Sequence, residues 1–189
     1  SHAGIPDNVV INSNIDVQVV PTAFQLEASA KGILNRWYNK WPHVSEYHYL
    51  NLAQWSGETP AFFLDDLKQT IQRLKEKNSD GIVIEAAPSK FASLPFLFAA
   101  NASLKNNVSI DSQLQEFCSL FGSASTTVYK LLNCWGDDKI VTVYNGLQDN
   151  KYKLPFYFQL VKQADAETQN DAAVIKQRIR ELKAFLHYM

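Results

Sequence analysis

The sequence predicts an α/β unit followed by an all-α unit. Three observations predict it. Through residue 86, short β-branched runs alternate with stretches of helical period. From about residue 93 onward the dominant pattern is a series of helix-period apolar stripes. No GxGxxG dinucleotide fingerprint accompanies the strands. The first half therefore reads as a partial (β/α) barrel or a small parallel sheet with helices, with an open doubly wound domain as the alternative. The second reads as a helical bundle. The division falls near residue 90, with βα units in 1–90 and a helical domain packed against them in 91–189.

Each element has its own signal. "DVQVVP", 16–21, is β-branched and ends at Pro21. In 26–41, Ala30, Ile33, Leu34, Trp37 and Trp41 recur at helical spacing, and Pro42 stops the helix. "EYHYLNL", 46–52, is the second strand, which leaves Glu46 at its N-terminal end. His48 and Tyr49 then alternate faces mid-strand, where a satisfied core or interface role is expected rather than a ligand role. Residues 59–81 give the clearest helix. Thr59 suits the cap and Pro60 the first helical position. Asp65 and Asp66 lie toward the positive end, and Lys75 and Lys77 toward the negative end. Phe63, Leu67, Ile71 and Leu74 form the apolar stripe. Gly81 opens the third strand, 81–86. Crossovers through helices make the three strands parallel. Further helices are expected over 93–104, 109–121, 123–135, 155–168 and 171–189, with Gly122 as a stop. Residues 138–144 fit a short strand or a bent link.

Composition removes several function classes. The 189 residues are 46% hydrophobic and 20% charged, with a net charge of −1. Nucleic-acid binding asks for a basic surplus that is missing here. No apolar run approaches the ~18 residues of a membrane span. Ser1-His2-Ala3-Gly4 is polar and is not a signal peptide; without a starting Met it reads as an excised piece or a mature form. Cys118 and Cys134 are too few for a disulfide framework and are expected as buried free thiols, with a bridge between them as the alternative. No CxxC, HExxH or P-loop spacing occurs, and His2, His43, His48 and His187 are scattered, so neither a metal nor a cofactor is expected.

Three stretches carry a resemblance: "LNLAQWSGETPAFFLDDLKQTIQRLKEKNSDGIVIEA" (50–86), "LQEFCSLFGSAS" (114–125) and "IRELKAFLHYM" (179–189). In order and spacing the chain resembles a bacterial domain-of-unknown-function family of glycoside-hydrolase-like proteins. That family is similar in layout to α-glucuronidases and hexosaminidases with TIM-barrel catalytic domains. The resemblance implies the late strands of a barrel plus the helices after it, a carbohydrate ligand, and a periplasmic or extracellular setting. A complete barrel takes ~200 residues or more, so the early barrel is absent here. The resemblance therefore implies a fragment or reduced form that is inactive alone. Its sheet edge, which would expose unpaired backbone groups, should meet another chain (a second copy or the remainder of a barrel), a helix, or an added strand from 138–144. The alternative is a non-catalytic protein-interaction or carbohydrate-binding module.

Glycoside hydrolysis needs two carboxyl groups across one bond. In βα architectures working residues sit at the C-terminal ends of strands. That rule selects Glu85 and Glu58 as candidate catalytic groups, considers Glu27, and demotes Glu46. Gln25, Asn51 and Gln54 are candidate hydroxyl ligands, and Trp55 a stacking platform for a sugar face. Each also has an ordinary role: Glu85 as a cap for the following turn or a partner for a surface lysine, Glu58 as a solvated loop carboxylate, Trp55 as a plug between sheet and helix, and the amides as partners for loop backbone.

Overall fold

The computed structural model describes residues 8–20, 27–48, 64–84, 94–104, 108–137 and 153–188. Within them the order is β1 (Val17–Val19), α1 (Glu27–Lys40), β2 (Val44–His48), α2 (Leu64–Glu76), β3 (Gly81–Ile84), α3 (Leu94–Leu104), α4 (Ile110–Ser119), a 3₁₀ turn (Gly122–Ala124), α5 (Ser125–Asp137), α6 (Leu154–Glu167) and α7 (Ala173–Tyr188). The expected succession of a parallel sheet unit and then helices is present. The stretch 138–144 lies outside the described residues.

The sheet has the order β1-β2-β3, and both pairings are parallel. Val17 sits opposite Val44, and Val19 opposite Glu46, which in turn faces Ile82. Two details differ from the sequence reading. β1 ends at Val19, short of Pro21. β2 begins at Val44 rather than at 46. The early start has a physical cause. Val44 accepts from the Asp80 amide (3.1 Å) and from the Ser79 hydroxyl (2.7 Å), so the α2–β3 turn anchors the strand as soon as Pro42 is passed. Glu46 is consequently the middle residue of β2. Its placement at the N-terminal end of the strand is corrected.

The turn that makes this anchor is specified locally. Asn78 adopts φ 49°, the left-handed region that Asn tolerates, and closes α2. Ser79 N–H then donates to Leu74 O at 2.9 Å.

Strand alternation divides the sheet into two faces. Val44, Glu46 and His48 share one face of β2. Val44 packs in a small core with Val19, Leu34 and Trp41, while Tyr38 of α1 and Arg73 of α2 both reach the Glu46 carboxylate. Both helices therefore cover the same face. The other face carries Gln18, Ser45, Tyr47 and Val83. Gln18 is exposed, and Val83 is 42% exposed.

The main core is continuous from α2 through α7. Leu64, Leu67 and Ile71 join Phe98, Leu114, Val128, Leu131, Tyr157, Leu160, Ile179, Leu182 and Leu186. Helix α2 thus serves both parts, with an apolar stripe toward the helices and Thr70 and Arg73 toward β2. Local devices fix the helical part. The Ser109 hydroxyl accepts from Ser112 N–H at 3.0 Å and caps α4. Gly122 holds φ 56° as the chain turns into α5. Asp171 reaches across to accept from Ser123 N–H (2.8 Å) and Ser123 Oγ–H (2.9 Å). Both cysteines are free, and burial pushes the Cys118 thiol up to about 12.

Candidate functional site

A buried charge in a short parallel strand needs partners. Glu46, 0% exposed, is such a charge, and four donor groups from three elements meet it. From α1, Tyr38 donates its hydroxyl to Oε1 at 2.7 Å. From α2, Arg73 donates Nε–H to Oε1 (2.9 Å) and Nη2–H to Oε2 (2.6 Å), a bidentate fork. From β2 itself, His48 places Nε2 2.7 Å from Oε2. Arg73 Nη2 also reaches the buried Thr70 hydroxyl at 3.3 Å.

Local sequence explains the convergence. Glu46 and His48 are two residues apart on a strand, so they project from one face one pleat apart. Thr70 and Arg73 are three apart on α2, so they form one row on that helix. Tyr38 stands one turn before buried Trp41, whose ring stacks on Trp37 at 5.0 Å and fixes how α1 lies on the sheet.

The electrostatics follow from these contacts. Burial alone would raise the Glu46 pKa. The hydrogen bonds from Arg73 and His48, the Arg73 charge and the Tyr38 hydroxyl outweigh it and bring the carboxyl down to about 2. Arg73 is raised by its bond to Glu46, against the opposing effect of burial. Tyr38 is raised far above the usual phenol range, first by burial and then by its bond to Glu46, with Ser79 pulling the other way. At neutral pH Glu46 is therefore an anion with both oxygens occupied. It has no proton to donate and no free lone pair for attack. Its chemistry is to hold other groups, the imidazole of His48 above all.

His48 is the last residue of β2. It lies at the C-terminal end of a parallel sheet, the end at which α/β proteins gather ligands. A groove of about 650 Å³, lined by Ile71, Leu74, Asn78, Asp80, Gly81 and Ala102, is at the opposite end, where β3 begins. Among the described residues no cluster of His, Cys, Asp and Glu could hold a metal ion. No helix there is long and apolar enough to cross a membrane.

The residues singled out from sequence, Gln25, Asn51, Gln54, Trp55, Glu58 and Glu85, all lie outside the described residues. Glu27 is the first residue of α1. The residues that do come together are Tyr38, Glu46, His48 and Arg73. A signal for them was present: an acid and a histidine two apart in a strand flanked by covering helices demand a cation from one of those helices. Arg73 is the arginine of α2. No family model, curated protein or solved structure matches the chain.

Proposed function

We propose that the chain is the late section of a (β/α) barrel from a glycoside-hydrolase-like, carbohydrate-active protein, with residues 91–189 as the helical domain that follows. It binds a glycan at the C-terminal end of the sheet and does not hydrolyse it alone. One observation carries this reading: among the described residues, both crossover helices lie on the same face of the sheet. Strands β1, β2 and β3 advance in one direction, and α1 and α2 meet on one carboxylate, hence on one face. Open doubly wound sheets are covered on both faces, whereas barrel helices all stand outside. The other face, where Gln18 and Val83 are exposed and Ser45 is buried, suits a barrel interior. The resemblance carried by 50–86, 114–125 and 179–189 supplies the ligand class and, with it, a periplasmic or extracellular setting.

The test is titration calorimetry of the 189-residue chain against a panel of oligosaccharides, together with aryl-glycoside turnover. Weak binding without turnover is expected, because catalysis needs both carboxyl groups positioned together in a closed site. Turnover abolished by Glu85→Gln would refute the inactivity. Silence across the whole panel would refute the carbohydrate reading.

A second reading, a protein-interaction module, is favoured by α3. Leu97 (52% exposed) and Leu104 (82%) are seven apart and share one helical face with exposed Ala100. Sedimentation of the chain with and without Leu97→Glu separates the two: loss of an oligomer in the variant favours the module.

A further inference from the structure

We draw no further inference here: the strongest candidate, the groove of about 650 Å³ between the C-terminal half of α2, the start of β3 and the end of α3, is lined by apolar Ile71, Leu74, Ile82 and Ala102 and by both Lys75 and Asp80, so it favours neither sign of charge and nothing in the structure shows what occupies it.

Discussion

Between β2 and helices α1 and α2, the interior holds a carboxylate, a guanidinium, a phenol and an imidazole. Between α2 and α7 it holds leucine, isoleucine, phenylalanine and alanine. One helix separates the two regions. On α2, Leu67 and Ile71 face the apolar side, and Thr70 and Arg73 the polar side. The contrast teaches what each region is for. The apolar core can be satisfied by many sequences of similar volume. The charged one is satisfied only if every partner is present, so it fixes one arrangement of the strand end that carries His48.

The largest expected effects separate the regions by how they can be repaired. Arg73→Met leaves a buried carboxylate without its main partner and should cost about 3–5 kcal/mol in urea denaturation. Leu182→Ala, at a fully buried position of α7, should cost a similar ~2–5 kcal/mol through lost burial and a cavity. The repair differs. Adding Glu46→Met to Arg73→Met removes the orphaned charge and should recover most of the loss, as apolar replacement of buried ion pairs often does. If the double variant stays as unstable as the single one, the two charges are not each other's main compensation, and the comparison collapses.

Acid should act on one region first. Folding lowers the Glu46 pKa from 4.5 to about 2. A carboxyl group depressed by folding contributes stability above its unfolded pKa and loses it as the pH falls through the folded value. Denaturation midpoints should therefore decline between about pH 4.5 and about pH 2. Glu46→Gln should flatten much of that decline. An unchanged slope in the variant would assign acid sensitivity to other carboxylates.

Much of this contrast is legible in the sequence. The helical periods of 94–104, 110–119 and 173–188 gave the helices to within a few residues, because an apolar stripe must face a core. Parallel pairing followed from the alternation of strands and helices. The start of β2 did not. Its first residue is held by Ser79 and Asp80, thirty-five and thirty-six positions further along the chain, and no local pattern records such a bond. The two-residue shift changed the reading of Glu46 from a strand-end carboxylate to the centre of the network. His48 reads as a satisfied core or interface histidine, and its burial and its Nε2 bond to Glu46 agree with that. The strand-end rule drew attention to 51–58 and Glu85, while the convergence on Glu46 depends on Tyr38 and Arg73 meeting through folding.

A smaller effect is expected at the turn into α5. At Gly122 (φ 56°) a β-carbon would meet the Asp171 carboxylate and come within 2.8 Å of Ile175 Cδ1. Gly122→Ala should cost about 1–2 kcal/mol for the left-handed backbone and about 1 kcal/mol more as Asp171 loses its bonds to Ser123. Asp171→Ala alone should show only the second part. Because this turn belongs to the helical region, neither change should move the NMR signals of His48. A shift there would mean that the two regions are coupled more tightly than through α2.

The smallest effect concerns the charge that crosses between the regions on the outside. Lys68 of α2 reaches Asp111 of α4 at 2.8 Å and Asp65, on its own helix, at 3.5 Å. Partial burial would lower the Lys68 pKa, and the two carboxylates more than offset that, so it is raised. The geometry is good, yet the Asp111 side chain is 52% exposed, so water and salt screen the pair. Exposed pairs of this kind contribute roughly 0–1 kcal/mol. Lys68→Met should therefore change stability by less than about 1 kcal/mol, and the difference should shrink as salt is added. The same two kinds of charge that cost about 3–5 kcal/mol to separate around Glu46 should be nearly silent here. The main variable is burial, beside the bidentate geometry of Arg73: the Glu46 side chain is 0% exposed and that of Asp111 is 52% exposed. A loss at Lys68→Met as large as that at Arg73→Met, and insensitive to salt, would show that α2 is held to α4 by charge rather than by Leu64, Leu67 and Ile71.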